Sequence, residues 1–318
     1  MTTASLRAIS FLALALALAA VLAVAACGGD GGPGGGDDGP DTDAGIEPPD
    51  PEGWQTLLKG AWSLAANEEG YFCVIATVPR DVYVKAFRPL TPLGTHHTVL
   101  TRYQGSGANG TTRCSSGTNG TTMIYGSGVG APDFVFPPDV GLHLTAGTRL
   151  LLNLHLYNGS DAPLGGTSGA LFQEAAPSEI QHKAELVLAG PTISLAVPPG
   201  TSTQSGTCNV SSLTTQPIQV FSLSQHMHKL GRHMKSVAVR GGTEIMLQDI
   251  PYDFEQQEFH LVPQPIELRP GDVVRTSCTF ENPSTTTVRF GESSDDEMCF
   301  TDLFYYPAQN ARYICSSF

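Results

Sequence analysis

Charge is scarce in this chain: only 15% of its 318 residues are Asp, Glu, Lys or Arg. Basic residues are the scarcest part, 17 against 30 acidic, for a net charge of −13. A surface of that sign repels phosphate backbones and anionic headgroups, which argues against nucleic acid as a partner. From Trp54 onward no stretch carries a helical apolar stripe over twelve residues, so coiled coils and helical bundles are excluded. None of the seven cysteines stands in a CxxC pair, which argues against a zinc ribbon or a thioredoxin-type redox site.

What the chain has in quantity is turn formers and short apolar runs. Glycine (35) and proline (23) together outnumber the charged side chains. They separate runs such as FCVIATV, VYVKAF, RLLLNLHL, IQVFSL, KSVAV and VVRTSCTF, which have the length and composition of strands. The Pro-Gly pairs at 199–200 and 270–271 mark turns between strands. The expected fold is all-β, two tandem β-sandwich (jelly-roll-like) domains. A break near Ala175-Ala176-Pro177-Ser178 divides the body into 53–177 and 178–318, each the size of one sandwich.

The N-terminus has a different character. Arg7 precedes the apolar run Phe11 to Ala26, and composition changes abruptly at Cys27, so residues 1–26 read as an export signal. Val24-Ala25-Ala26-Cys27 resembles the lipobox of bacterial lipoproteins, which implies lipidation of Cys27 and anchoring to the bacterial cell envelope, with the outer membrane expected. A cleaved signal ending in Ala-x-Ala is the alternative. Residues 27–52, rich in Gly, Asp and Pro and without an aromatic residue, are expected to be a disordered tether. The remaining cysteines, Cys73, Cys114, Cys208, Cys278, Cys299 and Cys315, are even in number, as disulfides of an exported protein would be, but six cysteines admit 15 pairings.

Nine histidines are unevenly placed. His226 and His228 lie two apart in a strand context, so alternation sets both imidazoles on one face and Met227 on the other, and two ligands from one strand can meet one metal. His96 and His97 are neighbours, and on a regular strand they point to opposite faces. They can share an ion only where a bulge or a strand end re-aims one of them. His155 sits among alternating leucines, where a buried imidazole needs a partner, either a hydrogen bond or a metal. His143, His182, His233 and His260 read as surface residues. Met298, directly before Cys299, is either a core methionine or a thioether ligand. Imidazole with thioether is a soft set that suits copper cycling between Cu(I) and Cu(II).

Together these segments carry a resemblance. His226-Met227-His228 followed by Leu230-Gly231, the run Ser294-Asp295-Asp296-Glu297-Met298-Cys299, the pair His96-His97 and the later His155 stand in the order seen in copper type II, ascorbate-dependent monooxygenases. That family includes the peptidylglycine α-hydroxylating and dopamine β-monooxygenases. The likeness covers residues 53–318 and is densest after Val187. It implies two β-sandwiches side by side and two copper ions per chain, with ascorbate as reductant and O₂ and a small molecule as substrates. By the same resemblance His96, His97 and His155 form the electron-supplying site, and His226, His228 and Met298 the catalytic site. The implied disulfides are Cys73–Cys114, Cys208–Cys315 and Cys278–Cys299. The implied substrate pocket departs from the peptidylglycine branch: its arginine, asparagine and tyrosine correspond to Ser224, Phe300 and Asp302. A hydroxyl cannot replace a guanidinium fork, and an aspartate repels a carboxylate, so the expected substrate is a small apolar or amine-bearing molecule. The alternative is a surface lipoprotein that binds or sequesters copper without turnover.

Overall fold

Strand propensity and frequent turn formers produce an almost purely β architecture, seen here in a computed structural model that describes residues 50–115, 121–254 and 256–316. These residues belong to one compact unit, Thr42–Phe318. The expected export signal, Cys27 and the expected tether up to residue 49 lie outside the described residues. Among the described residues there are strands and two single-turn 3₁₀ segments, Pro177–Glu179 and Val210–Ser212, and no α-helix. Every apolar run picked out above falls on a strand. Gly200 and Gly271, the second residues of the two Pro-Gly pairs, have φ of +85° and +95°. Open space surrounds the position of a Cβ at each, so the backbone angle, and not crowding, is what demands glycine there.

Strand pairing separates the chain after Lys183. Before that point one sheet runs Trp54–Leu64, Leu164–Glu174, Val82–Leu90, Val140–Leu144, His182–Lys183, with Phe134–Val135 added to Val82–Leu90. Its partner runs Gly110–Cys114, Glu69–Thr77, Arg149–Tyr157, Thr95–Tyr103, Thr121–Gly128. After that point one sheet runs His260–Leu268, Ile218–Met227, Cys299–Tyr306, Glu185–Ala189, Ile314–Cys315. Another runs Gly200–Asn209, Val273–Asn282, Gly231–Arg240, Thr243–Pro251, and Ala196–Val197 pairs separately with Val288–Arg289.

The apolar faces of these sheets are buried against one another. Leu150, Leu152, Leu154 and Leu156, alternate residues of one strand, all enter the main core with Trp62, Phe87 and Leu100. The same core continues across the chain division through aromatic contacts. Phe134 stacks on Phe304 with ring centroids 5.2 Å apart, and Phe136 lies 5.7 Å from Phe221. Aromatic pairs of this geometry add to area burial, so the two halves share a packed seam.

Three disulfides join Cys73 to Cys114, Cys208 to Cys315 and Cys278 to Cys299, the pairings that the resemblance implied. Two loops share one hydrogen-bond pattern. The Asn158 side chain donates to the Ala65 and Ala162 carbonyls and accepts from the Ser160 amide and hydroxyl. The Asn282 side chain donates to the Val197 and Thr286 carbonyls and accepts from the Ser284 amide and hydroxyl. Each loop follows a central strand, Arg149–Tyr157 or Val273–Asn282.

Candidate functional site

The odd-numbered face of Arg149–Tyr157 carries His155, which is 3% exposed. Register places His155 opposite Tyr71 on one neighbouring strand and opposite His97 on the other. The pairing with Thr95–Tyr103 slips between Thr95 and His97, so a bulge sits at His96. That bulge is the device the neighbouring histidines require, because it turns His96 to the side on which His97 already points. His96 Nδ1 lies 3.0 Å from His97 Nδ1, which lies 3.3 Å from His155 Nδ1. All three residues can offer ring nitrogens within 4.8 Å of one another.

The surroundings fix which nitrogen His155 offers. Its Nε2–H donates to Glu69 Oε1 at 2.5 Å, leaving Nδ1 as a lone pair facing His97. Tyr71 stacks on the same ring, with centroids 4.5 Å apart and planes 8° from parallel. Burial and the positive charge that His155, His96, His226 and His228 would carry hold the His97 pKa well below the usual 6.5. Burial likewise lowers His155, against the raising influence of Glu69. Three converging imidazole nitrogens whose lone pairs face one another repel unless a cation lies among them, and this donor set fits a copper ion.

The second cluster grows from two adjacent strands. Ile218–Met227 pairs with Cys299–Tyr306 so that Ser224 faces Asp302, His226 faces Phe300 and Met227 faces Cys299. His228 and Met298 each stand one residue beyond that pairing. Alternation puts Ser224, His226, Phe300 and Asp302 on one face, and with His228 and Met298 all of them line one cavity of about 230 Å³. The two imidazoles stand at right angles with centroids 5.3 Å apart. His226 Nδ1 donates to Gln257 Oε1 at 2.7 Å, and Gln257 is held by donating its own amide to the Phe254 carbonyl. His228 Nδ1 donates to the Asp296 carbonyl at 3.1 Å. Both rings therefore keep Nε2 free as a ligand atom. Burial lowers the pKa of His226, and burial with the neighbouring His226 takes His228 down to about 3.

The strand ends that carry these ligands are tied together by Glu297. This fully buried carboxylate accepts from the backbone amides of His228 (3.0 Å), Leu230 (2.7 Å) and Met298 (3.3 Å). Burial raises its pKa to about 7 although the three amides pull it down. The Cys278–Cys299 disulfide anchors the residue next to Met298.

The structure thus gathers His96, His97 and His155 into one cluster and puts His226, His228 and Met298 on one cavity wall, with Ser224, Phe300 and Asp302 beside them. His97 and Tyr71, from the first half of the chain, line that same cavity. His182 and His260 are exposed, while His233 is partly exposed beside Asp249. His143 departs from the surface reading: it is largely covered, stacked on Tyr83 and in contact with Asp81 and Lys183. Glu69, Tyr71, Gln257 and Glu297 were not foreseen as site residues. Glu69 and Tyr71 could have been flagged from alternation in EGYFC, but only the register shows that they flank His155.

The chain thus carries two histidine clusters of a composition that could hold a metal, on sheets of an all-β architecture. Residues 182–318 match the family model of the copper type II ascorbate-dependent monooxygenase C-terminal domain. The chain is 29% identical over 205 residues to the putative DBH-like monooxygenase protein 2 of Homo sapiens, covering 59% of this chain and 41% of that protein. It is 27% identical over 205 residues to dopamine beta-hydroxylase of Canis lupus familiaris, covering 59% and 32%. With peptidyl-glycine alpha-amidating monooxygenase A of Xenopus laevis it shares 26% over 264 residues, covering 76% and 26%. The matched regions span between 26% and 41% of these relatives' own lengths.

Proposed function

We propose that this chain is a copper-dependent monooxygenase that hydroxylates a C–H bond of a small organic molecule with O₂, using a reductant such as ascorbate. His96, His97 and His155 would hold one copper, and His226, His228 and Met298 a second. The observation that carries this reading is the shared cavity, whose wall includes His97 from the first cluster and His226, His228 and Met298 from the second. When bound, copper supplies one-electron redox chemistry and the activation of dioxygen.

The chain's own residues supply the rest. Glu69, Gln257 and the Asp296 carbonyl fix the imidazole tautomers of His155, His226 and His228, so these three ligand nitrogens are presented before metal arrives. Phe254, Phe259, Phe290 and Phe300 make a largely apolar wall that limits water around a reacting C–H bond. The pattern of residues 1–27 and the three disulfides support an exported chain anchored through a lipid on Cys27. Strand pairing supports two successive domains.

Metal analysis followed by oxygen uptake with ascorbate tests the proposal. The expected result is copper- and substrate-dependent oxygen consumption on amines, with glycine-extended peptides far poorer. Copper binding with no uptake on any amine, peptide or phenol would make the chain a copper-holding protein instead.

Two further results are expected. Glu69→Ala weakens copper binding at the three-histidine cluster by about 10- to 100-fold, because His155 loses the partner that fixes its Nδ1 lone pair. Competition with a chelator measures this, and an unchanged affinity would remove Glu69 from the site. The second concerns pH. Protons compete with metal for imidazole nitrogens, and His97, His155, His226 and His228 all have pKa values below 6.5. Copper occupancy should therefore stay constant as pH falls through 6.5, where exposed histidines take up protons. Dialysis across that range, with copper counted at each pH, checks the sign.

A further inference from the structure

The bulge that turns His96 toward His97 takes its backbone out of the regular strand register, so the packing of the imidazole, more than the ladder, decides where its Nδ1 points. His155 shows how such a ring is held, since Tyr71 lies flat against it. His96 has a corresponding neighbour, and it comes from the other half of the chain. The ring of Phe254 lies 4.9 Å from that of His96 with planes 36° apart, an aromatic contact that stabilises beyond the area it buries. Phe254 is itself fixed through its backbone. Its carbonyl accepts from Gln257 Nε2 at 3.0 Å, and the Gln257 carbonyl accepts from the Gly128 amide at 3.2 Å. Gly128 is the register partner of His97. The path of contacts thus closes on the cluster where it began, from His96 through Phe254, Gln257 and Gly128 to His97. Phe259, two residues after Gln257, adds an apolar hold by packing on Tyr125 and Phe134 of the first half.

We propose that Phe254 is a positioning residue for the three-histidine cluster, holding the His96 ring against His97 from across the seam, with Gln257 in turn holding Phe254. Such support matters most before metal arrives, when lone pairs that face one another push the rings apart. The first cluster is then complete only with the second half packed against it. Gln257 acquires two tasks through separate atoms: Oε1 orients His226, and Nε2 orients Phe254.

This rests on the copper reading for the metal but not for the ring geometry, so the test has one arm with copper and one without. In a chain with His226 and His228 replaced by alanine only the first cluster is expected to bind, and chelator competition reads its affinity. Phe254→Leu should weaken copper there by about tenfold, and Phe254→Tyr, which keeps the ring, should restore most of that loss. Gln257→Glu removes the donor to the Phe254 carbonyl, and a loss of about the same size is expected. The metal-free arm is proton NMR of the chain with its histidines intact. The nuclear Overhauser contact between the His96 and His97 rings should fade in Phe254→Leu and return in Phe254→Tyr. An unchanged affinity or an unchanged ring contact in a folded Phe254→Leu chain overturns the proposal. Equal losses in the Leu and Tyr variants overturn it too, because the retained ring would then count for nothing. Should Phe254→Leu fail to fold, Gln257→Glu decides by the same two measurements. A chain that binds no copper while Phe254 still governs the ring contact removes the copper reading and leaves the inference; copper bound equally by all variants does the reverse.

Discussion

With His226 and His228 both replaced by alanine, the copper content should fall by about one ion per chain, and substrate-dependent oxygen uptake should disappear. The first cluster is expected to keep its metal, because His96, His97 and His155 stand on strands paired within the first half of the chain and are oriented by Glu69 and Tyr71. No hydrogen bond from the His226 or His228 side chain reaches them among the described residues. The measurement is copper counted against protein, with X-ray absorption to establish that the ion left behind has nitrogen ligands only. Met298→Ala gives a graded version: Cu(I) should be lost more readily than Cu(II), since thioether favours the softer ion. An unchanged copper count in the double variant would refute the assignment of the second cluster.

The largest effect on stability is expected from replacing Cys208 and Cys315 with serine. That disulfide closes a separation of 107 residues, which in the loop-entropy account corresponds to about 4–5 kcal/mol. Both cysteines are buried, so the serine hydroxyls would also need hydrogen-bond partners in an apolar cluster. A fall of roughly 10 °C or more in the melting temperature follows from that loss. The consequence reaches the cavity, because Ile314–Cys315 is a parallel edge strand on Leu188–Ala189, and Tyr313 and Ile314 line the wall. Substrate-dependent oxygen uptake should therefore fall alongside the thermal transition. A variant that melts as the unaltered chain does would show that packing alone holds the C-terminal strand.

Sheet alternation made the second cluster legible from the chain alone. Two histidines separated by one residue share a face of a strand, and in the structure His226 and His228, the latter one residue past the strand end, line one cavity. The first cluster was only half legible, because His96 and His97 needed a bulge that no residue type announces. Bulges are set by how a partner strand is registered, and that information lies some sixty residues away at His155. Glu69 and Gln257 escaped for a related reason: one reaches His155 diagonally across a strand pair, and the other hangs from a loop with no periodicity. The disulfide pairing came from resemblance, not from spacing, since six cysteines in strands offer no local rule. Asp302 was visible as an anomaly, an acid in a run of apolar strand residues, but its burial, and an Oδ1 without a hydrogen bond among the described residues, belong to tertiary structure alone.

The two asparagine-anchored loops mark corresponding points of a repeated half. Three residues before Asn158 stands His155, paired with His97 just after a register slip; three residues before Asn282 stands Thr279, paired with His233 just after a slip between Gly231 and His233. Superposed in this way, the positions that hold His96, His97 and His155 in the first half hold Arg232, His233 and Thr279 in the second. The second half keeps the loop, the slip and one histidine, and no triad. Its metal-binding candidates lie instead on the facing sheet, at His226 and His228. The two halves thus share a loop and a register slip while their candidate ligands stand on different sheets. Two unlike sites can then open on one cavity without any symmetry between them.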